Sequence, residues 1–261
     1  MLRHEKCPIV LIPLLDRLCE LEDILVIAVI GSYAKGINTP QSDVDLLLIV
    51  SDSFKINNLR IILQRTYDNI TLYNSDDVYQ IVVQKTTISF AVRSIDFIGY
   101  LRRLVNGHIP PIEIKPWVIG GNIPEVLISD IQSSVILLDR EGEFNQLSMQ
   151  LQNGYPDSMK RIMIPLLSKE IKQKASLMLR TENPVLKVIG FNEVLVQYIR
   201  IVALHHNIMN FGIKHYFQNQ GGEINKIIKK RLFTEPIVDP DIINAELNDM
   251  IKELEVYISE Y

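Results

Sequence analysis

Two unbroken apolar runs, Ile24 to Ile30 and Val44 to Val50, dominate the hydropathy pattern of the chain. Both are rich in β-branched or branched side chains and too short for buried helices, so each predicts a strand covered on both faces. Ahead of them Leu11, Leu14, Leu15, Leu18 and Leu21 recur at helical spacing and predict an amphipathic helix over Pro8 to Leu21. Behind them a helix is expected over Asn57 to Tyr67 with Leu59, Ile62 and Leu63 inward. Strands follow at Val78 to Val83 and Thr87 to Val92, then a helix from Ile95 to Val105 and a last strand at Val135 to Leu138 that turns at Asp139 to Gly142. Past Gln146 the period-2 signal ends, and helices are expected over Asp157 to Leu179, Pro184 to His206, Gly222 to Leu232 and Pro240 to Ser259. Asn183-Pro184 and Asp239-Pro240 each pair a capping side chain with proline at the first helical position. The pattern predicts an α+β chain: a mixed sheet with helices over residues 1–148, then an all-α bundle over 149–261, divided near Asn153 to Pro156.

The chemistry sits between the two apolar runs. The first ends in Gly31-Ser32, where a residue without Cβ lets backbone and hydroxyl approach a ligand oxygen. A helix starting near Ser32 would point N–H groups at phosphate. Lys35, one turn on, reads as a solvated lysine. The second run opens with Ser42-Asp43-Val44-Asp45. Residues two apart on a strand share a face, so Asp43 and Asp45 set two carboxylates side by side, an arrangement that calls for a cation between them.

Gly31, Ser32, Ala34, Gly36, Ser42, Asp43 and Asp45 together resemble the signature of the DNA polymerase β-like nucleotidyltransferase superfamily. The resemblance implies that Asp43 and Asp45 hold Mg2+ and carry catalysis, while Gly31, Ser32 and Ser42 contact a nucleoside triphosphate, most often ATP. It also implies a third carboxylate on the strand beside the paired acids. The strand at that place, Thr86 to Val92, holds no acid. Asp76 and Asp77 read as turn residues and Asp96 as an early helix residue. Gly120 to Glu125 and Asp139 to Gly142 are similar to stretches of bacterial stand-alone nucleotidyltransferases, although a turn suffices for the latter. Asn210 to Lys214 is similar to a stretch of the same enzymes, which makes Lys214 a candidate phosphate contact beside the plain reading of a surface lysine. Aminoglycoside-type adenylyltransferases share the two-part plan, which implies a small hydroxylated acceptor, with a tRNA end or a protein as the other acceptor classes. The missing third acid leaves a second reading open: a protein of this fold that binds nucleotide or a partner with little catalysis.

Composition narrows the picture further. With 261 residues, 47% of them hydrophobic, the chain has ample material for packed cores. Net charge is −4, so the whole-chain field does not favour nucleic acid. From Lys160 to Arg231, however, there are 13 Lys and Arg against 4 Asp and Glu, whereas after Arg231 one Lys faces 8 acidic residues. Either the basic stretch serves phosphates or it pairs with the acidic tail. Cys7 and Cys19 have no disulfide or metal spacing, and the adjacent His205 and His206 cannot share a helix face as a metal pair. The apolar run from Ile9 to Leu15 is too short for a bilayer, so a cytoplasmic enzyme without membrane association is expected.

Overall fold

A computed structural model describes residues 9–67, 72–75, 78–83, 85–108, 124–208 and 239–261. The chain is α+β, with the sheet in the N-terminal part and helices in the C-terminal part. It divides into two compact units: Met1–Arg103 with Asp130–Gln152, and Leu104–Ser129 with Asn153–Tyr261.

The first unit is built on a sheet whose described strands are β1 (Ile24–Ile30), β2 (Val44–Val50), β3 (Leu72–Ser75), β4 (Val78–Val83), β5 (Thr86–Ser94) and β6 (Val135–Asp139). Their order is β3-β4-β5-β2-β1-β6, and every pairing is antiparallel except β2 with β5. The alternation of side chains on β2 sorts its residues between two layers. Val44, Leu46, Leu48 and Val50 join Ile27, Val29, Ile88, Phe90, Ile81 and Val83 in a core closed by Leu11, Leu14, Leu18, Leu59 and Leu63. Those leucines come from a 3-10 turn at Ile9–Leu11 and from helices α1 (Ile12–Cys19) and α3 (Ile56–Thr66). Asp45, Leu47 and Ile49 point to the other face, where Leu47, Ile49, Val26 and Ala28 are also buried. Burial on both faces is why the two runs are almost wholly apolar, with Asp45 the one charged side chain on β2.

Between β1 and β2 lies α2 (Gly31–Lys35), which stops at Gly36 in the left-handed conformation. After β5 come α4 (Asp96–Val105), α5 (Pro124–Ser133) and α6 (Glu143–Gln150). The turn after β6 has a clear structural cause. Asp139 accepts from Gly142 N at 3.0 Å and Asn145 N at 2.8 Å. Next to it Arg140 donates to the carbonyls of Ile24, Cys19 and Leu21 at 2.8, 2.7 and 3.2 Å, closing the C-terminal end of α1 with a cation.

The second unit contains α7 (Asp157–Arg180), α8 (Pro184–His205) and α9 (Pro240–Ser259). Asn183 and Asp239 cap α8 and α9 as their sequence predicts, accepting from Val185 N and Leu186 N and from Asp241 N. Glu125 at the start of α5 is fully buried, and Arg200 of α8 donates to both of its carboxylate oxygens at 2.6 and 3.1 Å. Gln197 accepts a third guanidinium bond at 2.7 Å, so the buried charge pair is met on both sides. The acidic tail meets the basic stretch at several points: Lys172 pairs with Glu255 at 3.4 Å, Lys187 donates to Asn244 at 2.9 Å, and Tyr198 donates to Glu253. His205 is half-buried against Tyr257 and His206 is exposed, in keeping with a structural pair. Among the described residues no helix is long and apolar enough to cross a membrane.

One expected element carries a correction. The helix expected from Pro8 to Leu21 is a 3-10 turn followed by a helix ending at Cys19, because proline at its second position resets the start. The helix expected over Gly222 to Leu232 lies outside the described residues, as do Cys7, Asp76, Asp77, Gly120 to Ile123 and Lys214.

Candidate active site

Strand register brings the candidate residues together. Ile30 of β1 pairs with Asp45 of β2, Asp45 with Ser89 of β5, and Ser89 with Gln80 of β4. These four positions form one row across the sheet, and paired residues on neighbouring strands point to the same face. Asp43 lies two residues before Asp45 on the same face, and its Oδ2 accepts a hydrogen bond from Ser89 Oγ at 3.0 Å. Ser89 is thus the register partner of one carboxylate and the hydrogen-bond donor to the other. Gln80 Nε2 donates in turn to Ser89 Oγ at 3.1 Å.

Gly31 has φ of +67°, which L side chains rarely adopt. A Cβ built on it would stand 2.2 Å from Asp45 Oδ2 and 3.1 Å from its Cγ. The carboxylate of Asp45 thus leans over the bare Cα of Gly31, and the glycine is required both for its backbone angle and for that approach. Ser32 follows in α2 and is buried. Ser42 closes a turn: Thr39 N donates to its Oγ at 2.9 Å, its own N donates to Thr39 O at 2.9 Å, and the two hydroxyls lie 3.2 Å apart. This turn delivers Asp43 to the mouth of β2.

Lys35 corrects the sequence reading. Its side chain is 4% exposed and its Nζ stands 2.6 Å from Asp130 Oδ1, so it is a buried partner of α5 rather than a solvated lysine. The lysine stands one position before Gly36, which ends α2, and the pair ties the short helix to α5 within the first unit. No sequence signal marks Asp130 as its partner, because 95 residues separate them.

Two carboxylates on one face, one of them leaning over a bare glycine Cα, suit a divalent cation by charge and by donor type. Among the described residues no group of three His, Cys, Asp or Glu side chains is placed to hold a metal ion. The position on β5 in register with Asp45, where a third acid is implied, is Ser89.

Comparison with known proteins gives one domain match and one structural likeness. Residues 11–104 match the family model described as nucleotidyltransferase domain, which covers β1, α2, β2 and β5 and every site residue of the row. Residues 11–104 are thus the part of the chain that resembles a nucleotidyltransferase domain. Among solved structures the chain is similar to a nucleotidyltransferase-like protein from Exiguobacterium sibiricum 255-15, at 13% identity and a TM-score of 0.48, over 94% of this chain and 74% of that one. No curated protein matches the chain.

Proposed function

We propose that the protein is a Mg2+-dependent nucleotidyltransferase that moves a nucleoside monophosphate from a triphosphate, with ATP the leading donor, onto a hydroxyl of a small molecule. The observation that carries this reading is the row Ile30, Asp45, Ser89, Gln80, which sets Asp45 over the bare Cα of Gly31, with Asp43 two residues before it and bonded to Ser89. In the reaction the acceptor oxygen bonds to the α-phosphorus, the bond from that phosphorus to the bridging oxygen breaks, pyrophosphate leaves, and the hydroxyl proton passes to solvent. Asp43 and Asp45 would hold the divalent ion, which supplies charge neutralisation at the α-phosphate. Gly31 and Ser32 would lie against the triphosphate, with the absence of a Cβ on Gly31 admitting the Asp45 carboxylate beside it. Ser42 acts through the turn that presents Asp43, since its hydroxyl is engaged with Thr39. Lys214 is assigned to the phosphates on the sequence similarity alone.

Ser89 supports a second reading, nucleotide binding with slow transfer, because a neutral hydroxyl stands where a third charge would strengthen cation binding. Calorimetric titration with Mg2+ and ATP, run beside a pyrophosphate-release assay over a panel of hydroxylated acceptors and with Asp45→Asn as control, separates the two. Release that depends on acceptor and Mg2+ and is abolished by Asp45→Asn supports transfer. Binding that is lost in Asp45→Asn, with no release on any acceptor, supports the second reading. Absence of Mg2+-dependent binding overturns both.

A further inference from the structure

We infer that Gln80 and Ser89 are positioning residues for Asp43, a neutral relay that fixes which carboxylate oxygen is turned to the cation. This rests on the nucleotidyltransferase reading and goes beyond it, because neither residue is a carboxylate or a phosphate ligand.

The number of available protons sets the direction of both bonds. A serine hydroxyl has one proton and two lone pairs, and an ionised carboxylate only accepts. Ser89 Oγ lies 3.0 Å from Asp43 Oδ2, so that bond takes the hydroxyl proton. Gln80 Nε2, 3.1 Å away, then donates to the hydroxyl oxygen. The reverse amide orientation would set two acceptors against one proton, which the hydroxyl cannot satisfy. The amide bond occupies a lone pair of Ser89 and turns its proton towards Asp43.

Burial and backbone make the relay stiff. Ser89 is 6% exposed, which limits the water able to replace either bond. Gln80 and Ser89 are directly opposed on antiparallel strands, and Ser89 and Asp45 on parallel ones. Three adjacent strands therefore fix the spacing of the whole row. With Oδ2 held by Ser89, the plane of the Asp43 carboxylate is set and Oδ1 is the oxygen the relay leaves for the cation. Being neutral, the relay adds no charge, so Asp43 and Asp45 together balance one divalent ion. Outer groups that orient a metal ligand commonly govern affinity by about 10- to 100-fold.

The test titrates the full chain with Mn2+ alone and reads the free-ion electron paramagnetic resonance signal. Ser89→Ala removes the proton that holds Oδ2. Gln80→Met is similar in length and removes the donor to Ser89 without adding charge. Both variants are expected to weaken Mn2+ binding by about tenfold or more, Ser89→Thr to retain most of it, and circular dichroism to stay unchanged. If Ser89→Ala fails to fold, Gln80→Met decides, because that half-exposed position tolerates the change. Wild-type affinity in the variants overturns the relay while leaving the functional reading intact, provided Asp45→Asn abolishes binding. A wild-type protein that takes up no Mn2+ overturns the functional reading and the relay together.

Discussion

Gly31 is where a single atom decides the site. The side chain of Asp45 occupies the space that a Cβ would need, with 2.2 Å between the built Cβ and Oδ2. Gly31→Ala therefore displaces the carboxylate and also forces an L residue to φ of +67°, a conformation that costs roughly 1–2 kcal/mol. The variant is expected to lose Mg2+-dependent nucleotide binding and to melt lower by several degrees, whereas Gly36→Ala, with open space around its Cβ, should show only the backbone cost. Equal nucleotide binding in Gly31→Ala and wild type would contradict the close approach. Spacing alone pairs Gly31 with Ser32 and Asp43 with Asp45 in the sequence, whereas the meeting of Gly31 with Asp45 depends on the register of β1 with β2. Ser89 and Gln80 carried no such signal. A serine or glutamine in an apolar strand reads as an ordinary polar position until register shows what it faces.

At the level of elements, the strands and helices with strong periodicity stand close to where the pattern placed them. Val44–Val50 and Pro240–Ser259 have the expected limits, and Pro184–His205 differs by one residue. The short elements escaped: β3 has four residues, and α5 and α6 have ten and eight with mixed composition. Their cues are tertiary. α5 is stabilised by groups far away in sequence, since Lys35 holds Asp130 at one end and Arg200 holds Glu125 at the other. The second of these ties gives a direct prediction. Glu125→Gln leaves the guanidinium of Arg200 buried without its counter-charge, a change that costs about 3–5 kcal/mol. Urea unfolding should show a lower midpoint by that measure. Replacement of the exposed Glu255 partner of Lys172 should cost less than about 1 kcal/mol. Similar losses in the two variants would mean that the buried pair contributes no more than a surface one.

At the scale of the whole molecule, the segment Leu104–Ser129 groups with the helical unit although it precedes β6 in the chain. A single cut point in sequence cannot express that. Hydropathy marks where the strand signal ends near Gln146, but it carries no information on which unit an intervening helix packs with. The charge pattern was easier to read. Lys172 of α7 pairs with Glu255 of the acidic tail within the helical unit, which favours pairing over phosphate binding for that residue. Function at this scale depends on whether the two carboxylates of the first unit gather a cation and a triphosphate. The most direct measurement is a crystal of the protein grown with Mn2+ and a non-hydrolysable ATP analogue, with anomalous differences collected at the manganese edge. The account predicts a manganese peak shared by the carboxylates of Asp43 and Asp45, with the triphosphate lying against Gly31 and Ser32. Bound nucleotide with its manganese away from both carboxylates, or no nucleotide at saturating concentration, would contradict it.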